Sequence, residues 1–190
     1  MNDKLESIKW ARELLAKDFV VLDIETTGIS PGLGDQAITI GVVDKFGDTI
    51  LDLKIKPTIP ISAAATTKHK YTNEIVAAWP DLASGYNRLK TALEGKIVMS
   101  YCANKYDLAI LDATCWAHKL DPIELAEFHE LLPQFAAFYG DWNEYFGNYK
   151  WQKLEAAAMH LGIDPSDFGP SHDAIIDCKT ALAVLKAMAK

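Results

Sequence analysis

Phe19-Val-Val-Leu-Asp-Ile24 is a continuous apolar run of strand length, the pattern of a strand covered on both faces. Ahead of it, Leu5, Ile8, Leu14 and Leu15 recur among charges and predict an amphipathic helix over Leu5–Lys17. Ala37–Asp44 and Thr49–Ile55 flank Lys45-Phe-Gly-Asp48, a hairpin turn, so three neighbouring strands follow. Pro80-Asp81 opens a helix through Leu93, Gly95 ends it, and Ile97-Val-Met-Ser100 reads as a fourth strand. Leu108, Leu111 and Cys115 space a helix over Tyr106–Lys119. Glu124–Tyr139 reads as helical with an interruption at Pro133, and Trp151–Leu161 and Asp173–Ala189 complete the helices. Strands first and then helices with a returning strand predict an α/β or mixed α+β layer.

The pattern contains no repeat, low-complexity tract or long linker, and 190 residues, 49% of them hydrophobic, fit one domain over 1–190, with an N-terminal helix over 1–17 and a core over 18–188. No apolar run reaches the length of a membrane span, and Met-Asn-Asp-Lys-Leu-Glu is too charged for a secretory signal, so a cytoplasmic protein with no membrane partner is expected. Cys102, Cys115 and Cys178 are odd in number, lack metal-ligand pairing and lie in apolar sequence, and read as buried thiols. The net charge of −7 does not recruit a polyanion from a distance, so basic contacts to one must be local.

Acids stand where this pattern ends its elements. Residues i and i+2 of a strand point to one side, so Asp23 and Glu25 can present two carboxylates together, and Thr26-Thr27-Gly28 turns the chain directly after them. Two like charges so placed invite a cation. Asp107 opens a helix soon after the fourth strand, where it either favours the helix N-terminus or adds a third carboxylate at the same sheet end. Near the C-terminus, Gly169-Pro170-Ser171 breaks the chain before His172. His172 and Asp177 differ by about 140° on a helix and cannot share a face, whereas Asp173 and Asp177 are at i and i+4. Spacing alone leaves Asp173 and Asp177 as competitors.

Asp23-Ile-Glu-Thr-Thr-Gly28, Asn104-Lys-Tyr-Asp-Leu-Ala-Ile-Leu111 and His172-Asp-Ala-Ile-Ile-Asp177 resemble the three exonuclease motifs of the DEDDh 3′-to-5′ exonucleases, the group that includes the proofreading subunit of bacterial replicative polymerase. The resemblance runs from Phe19 to Leu185, and Asp141–Leu154 is similar to small stand-alone bacterial and prophage members. His69-Lys-Tyr-Thr72 is similar to a family segment with Gly-Ile in place of Lys70-Tyr71. Ala103 stands where many members have Asn, with Asn104 one place later, and Thr39 where many have Glu.

The resemblance implies a ribonuclease H-like α/β fold with a five-stranded mixed sheet flanked by helices on both faces. It selects Asp177 over Asp173 and implies a catalytic set of His172, Asp23, Glu25, Asp107 and Asp177. The four acids would hold two ions, Mg²⁺ or Mn²⁺, with His172 as general base, a histidine's ordinary pKa of ~6.5 suiting that work. It also implies that Thr26, Thr27, His69 and Asn104 meet the substrate, and that the partners are 3′ ends of single-stranded DNA or RNA and, for proofreading, a polymerase. An exoribonuclease acting on short RNA is the alternative in chemistry, and a nonhydrolytic nucleic-acid-binding module the alternative in class. Trp142, Tyr145, Phe146, Tyr149 and Trp151 read as an irregular loop packed on the core, with base stacking as the other option. Lys68, Lys70, Lys105, Lys150 and Lys153 are candidate phosphate contacts.

Overall fold

A computed structural model of the chain describes every residue except Met1, Ala103 and Ser171, and only the backbone of Asn2. The family departure at Ala103 and the chain break at Ser171 therefore lie outside the described residues.

Helix α1, Asn2–Ala16, buries Ala11 and Leu14 and leads into β1, Phe19–Thr26. Strands β2, Ala37–Asp44, and β3, Thr49–Lys54, form the hairpin that the turn residues announce, with the Asp44 carboxylate accepting the backbone N–H groups of Phe46, Gly47 and Asp48. Two short helices, α2 (Ala63–His69) and α3 (Asn73–Val76), follow, neither visible in the hydrophobic pattern. Helix α4, Leu82–Leu93, starts on Asp81, whose side chain accepts from Ala83 N–H; β4 is Ile97–Ser100 and α5 is Tyr106–Ala117.

The next element corrects the reading of Glu124–Tyr139 as one helix. Glu127–Glu130 is a strand, β5, parallel to β4, and helix α6 begins only at Leu131 and runs to Tyr139. Glu-Phe-His-Glu is polar because β5 is a sheet edge, where charge blocks further pairing, so it carries little strand signal. Pro133 lies in the first turn of α6, where its missing N–H has no intrahelical partner to lose. Strands β6 (Trp142–Asn143) and β7 (Asn148–Tyr149) then form a small hairpin. The helix expected over Trp151–Leu161 is shorter: α7 is Leu154–His160, and the extended chain before it is held by the Tyr101 hydroxyl, which donates to Gln152 O at 2.8 Å. Helix α8, Ala174–Met188, closes the fold.

The main sheet has the order β3-β2-β1-β4-β5, with β1, β4 and β5 parallel and β2 antiparallel to both its neighbours. Alternate residues of β1 feed two cores. Val20, Leu22 and Ile24 pack with Leu82, Leu89, Leu93, Ile110 and Leu111 of α4 and α5, whereas Phe19 and Val21 pack with residues of α1, α6 and α8. The three cysteines are buried and unpaired by disulfide. Among the described residues, no helix is long and apolar enough to cross a membrane.

Candidate active site

Strands β1 and β4 are in register only from Phe19 against Ile97 to Val21 against Met99. Beyond that, β4 stops at Ser100 while β1 runs on to Thr26, leaving a cleft outside the carboxyl ends of parallel strands, the usual place for a ligand in such sheets. Asp23 and Glu25 stand on this overhang. They share a face with Phe19 and Val21, the face on which α8 packs, and a bulge between Glu25 and Thr26 shifts the pairing with β2 by one residue before Thr26 meets Ala37.

The third acid comes from the other face. Helix α5 packs through Ile110 and Leu111 opposite α8, and Asp107 in its first turn reaches the cleft at the sheet end. The side chain is buried and accepts a short hydrogen bond from the Ser100 hydroxyl at the end of β4. The turn before it holds Asn104 and Lys105 in left-handed conformations (φ 56° and 53°), and Lys105 N–H donates to Glu130 Oε1 of β5 at 2.6 Å. The misread strand thus helps to place Asp107.

Helix α8 brings the fourth. Gly41 of β2, opposite Asp23, lies so close to the first turn of α8 that a Cβ there would stand 2.7 Å from the Ala174 backbone carbon. Only glycine lets the helix start this near the strand. Asp173 caps α8, its Oδ1 accepting from Ile175 N–H (3.0 Å) and Ile176 N–H (3.3 Å), so that oxygen is engaged by the helix end. Asp177, one turn on, joins Glu25 and His172 in a group whose ligand atoms lie within 4.8 Å of one another. His172 is in a left-handed conformation (φ 63°), the kind of backbone strain that clusters at functional sites, and its Nδ1 is 3.9 Å from Glu25 Oε1.

Crowding these acids raises their pKa values. Burial first, and then the charges of Asp107, Asp177, Glu25 and Asp173, push the Asp23 carboxyl well above its ordinary value. Glu25 rises to about 8 through burial and the Asp177 charge, with Lys68 pulling the other way. Asp177 rises to about 7 through burial and the Glu155 charge, and Asp107 to about 6 through burial, moderated by hydrogen bonds from Ser100 and Cys102. Four desolvated carboxylates, with Lys68 offsetting part of this repulsion at Glu25, form a hard oxygen donor set that fits Mg²⁺ or Mn²⁺.

The residues expected to meet a substrate divide. Thr26 lines a cavity of about 340 Å³ beside Glu25, together with Lys68, His69 and Tyr106. His69 is buried and pinned, its Nε2 3.1 Å from Thr26 O and its Nδ1 accepting from Tyr71 N–H at 3.1 Å, which fixes a neutral ring with the proton on Nε2. Burial lowers its pKa, in keeping with that form. It both packs the loop and walls the cavity. Asn104 is exposed and lines a separate groove beside Asp107. Thr27 is turned away: its hydroxyl donates to Asp35 Oδ1 and accepts from Gln36 N–H, its N–H donates to Gln36 O, and its carbonyl accepts from Ser62 N–H. Gly28 makes that arrangement possible, since a Cβ there would meet the Asp35 carboxylate at 2.4 Å.

Sequence reasoning passed over Ser100, Tyr106 and Glu155. Ser100 orients Asp107, the Tyr106 hydroxyl donates to Gly28 O at 2.9 Å, and Glu155 acts electrostatically on Asp177. The one available signal was position, Ser100 being the last residue of a strand that ends beside the acids. Of the candidate lysines, Lys68 and Lys153 line the groove with Asp23 and Asp177, whereas Lys150 is paired with Asp141 at 2.9 Å and Lys70 with Thr67 O. The aromatic segment departs from the expected core packing: Tyr145, Phe146, Trp151 and Trp142 are 88%, 69%, 55% and 45% exposed.

A five-stranded mixed sheet in this order, with helices on both faces, is a ribonuclease H-like fold, and acids gathered at its open end mark a nuclease. A family model described as Exonuclease (RNase_T) matches residues 20–185, and the chain belongs to that family. It is 30% identical over 187 residues to an uncharacterized exonuclease, CP81, of Escherichia phage 186, covering 95% of this chain and 92% of the phage protein. A DNA polymerase III subunit epsilon-like protein of Rhodobacter capsulatus is 34% identical over 98 residues, 49% of this chain and 14% of that protein. Among solved structures, E. coli exonuclease I in complex with a dT13 oligonucleotide superposes with a TM-score of 0.69 at 19% identity, over 88% of this chain. This chain spans 40% of the length of that exonuclease, and the likeness is one of fold.

Proposed function

We propose that the protein is a metal-dependent 3′-to-5′ exonuclease that hydrolyses the last phosphodiester of single-stranded nucleic acid, DNA above RNA, and releases nucleoside 5′-monophosphates. The observation that carries this reading is the convergence of Asp23, Glu25, Asp107 and Asp177 from both faces of the sheet beside a cavity of about 340 Å³. Family membership supports the reaction class. The similar exonuclease I has been crystallised with dA16 and dT13 oligonucleotides, and in a zinc-bound complex with single-stranded DNA.

Asp23, Glu25 and Asp177 would hold one ion, and Asp23 with Asp107 a second. Two such ions, when bound, stabilise the attacking and leaving oxygens of an in-line displacement at phosphorus. His172, partly exposed beside Glu25 and Asp177, takes the proton from the attacking water. Thr26, His69 and Tyr106 shape the seat of the terminal nucleotide, and Lys68 faces its phosphate from the rim.

The test is incubation of 5′-labelled single-stranded DNA and RNA with Mg²⁺, Mn²⁺ or a chelator. A descending ladder with metal, stronger on DNA, is expected. Internal cuts would overturn the exonuclease direction, preference for RNA would overturn the substrate, and intact polymers with metal would overturn the enzyme.

A further inference from the structure

Trp151 has no counterpart among the residues so far given a role, yet its side chain borders two grooves at the acid cluster. One, of about 580 Å³, also holds Asp23, Asp177, His172, Lys68 and Lys153; the other, of about 460 Å³, holds Asp107 and Asn104. Tyr101 and Leu132 line both, so the indole stands where the two grooves meet. Its position is fixed from outside the site. The Tyr101 hydroxyl holds Gln152 O, Lys150 N–H donates to Asp141 O at 2.8 Å, and the Tyr149 hydroxyl ties the hairpin to Asp3 of α1 at 2.6 Å.

The chain on both sides of Trp151 is tied down while its indole is left 55% exposed, a flat surface facing the grooves, unlike the core packing its composition suggests. Its direction from the acids decides what covers it. The cavity of Thr26, His69 and Tyr106 would seat the terminal nucleotide at Glu25, and it adjoins the grooves of Trp151 through Lys68 and Tyr106, so the strand attached to that nucleotide has a path past the acids into those grooves. Lys68 and Lys153 supply positive charge in that groove for a phosphate backbone, in a chain whose net charge is −7. A base can cover the indole only with a free face.

Resting on the exonuclease reading, we infer that Trp151 is the stacking platform for the base immediately 5′ of the scissile phosphate of a single strand. It is a specificity-determining residue that recognises an unpaired penultimate base without regard to its sequence, since every base has a π-face.

The experiment measures steady-state shortening of 5′-labelled oligothymidylate, intact or with an abasic penultimate position, by the full chain with Mg²⁺. Trp151→Ala is expected to raise KM on the intact strand by about 5- to 150-fold, the range that base–aromatic stacking supplies, with kcat little changed. Trp151→Phe should restore most of the loss. Wild-type protein should lose a similar factor on the abasic strand, and Trp151→Ala should lose nothing more there. Equal losses for Trp151→Ala on both strands, at an unchanged melting temperature, would overturn the stacking role while leaving the exonuclease standing. No shortening of any strand by wild-type protein would overturn both.

Discussion

Asp23 and Glu25 sit on a strand packed on both faces, and Asp177 on a helix pressed against Gly41, whereas Lys68, His69 and Trp151 belong to loops and short elements at the rim. The floor is rigid and electrostatically uncomfortable, with every acid pushed above its ordinary pKa. The wall is held by side chain to backbone bonds, such as Tyr101 to Gln152 O and His69 to Thr26 O, and carries the exposed aromatics and lysines. On the proposed function, chemistry that needs fixed oxygens would fall where the fold cannot give, and contact with a variable polymer where side chains can differ.

Damage to the floor should therefore cost most. Gly41→Ala puts a methyl group against the Ala174 backbone and forces α8 outward, carrying His172 and Asp177 with it. A displacement of about 1 Å at such a site is expected to slow turnover by roughly 10²-fold, with an overpacking cost of about 1–3 kcal/mol. Kinetics at matched folded fraction would check this, and a loss confined to stability would show that α8 is not held by that contact.

The second effect follows from the raised acids. A carboxyl whose folded-state pKa lies above its unfolded value binds a proton longer in the native state. Stability is then fully present below the unfolded pKa, near 4.5 for Glu25, and is lost as pH rises towards its folded value of about 8. Without metal, the melting temperature should fall by several degrees between about pH 5 and 8. Mn²⁺ should reverse the fall at pH 8 more than at pH 5. Asp23→Asn, which removes the most crowded charge, should flatten the metal-free profile while abolishing strand shortening. A metal-free melting temperature independent of pH would contradict the crowding.

The wall should tolerate more. Lys70 caps the end of α2 with φ 66°, a left-handed conformation that favours glycine. Lys70→Gly removes a left-handed strain of ~1–2 kcal/mol and adds unfolded-chain entropy of about half that, for a net rise of at most a few degrees in melting temperature and no change in rate.

The floor was also the more legible region in the sequence. The apolar run ending in Asp23-x-Glu25 and the hairpin turn at Lys45–Asp48 announce their structure because period and turn chemistry are local. What separates Asp173 from Asp177 in the structure is a pair of contacts that spacing cannot supply, the two N–H groups that Asp173 Oδ1 accepts. Strand β5 was hidden because Glu-Phe-His-Glu carries a single apolar residue and so no alternation, unlike the other edge strand β3 with its buried Leu51 and Leu53, and α2 because its Ala-Ala-Ala-Thr-Thr has no amphipathic stripe. The exposure of the aromatic segment was hidden for a related reason: composition records how much apolar area a segment carries, but tertiary contacts decide which of it meets water.

Whether Asp177 or the capping Asp173 does the work is measured most directly by the shortening of 5′-labelled single-stranded DNA with Mn²⁺ by Asp177→Asn and Asp173→Asn. Asp177→Asn should lose about 10³-fold or more, as expected when a ligand to charge-stabilising ions is removed. Asp173→Asn, which keeps a good N-cap, should retain most of the rate. Equal losses in the two variants, with both folded, would contradict the assignment.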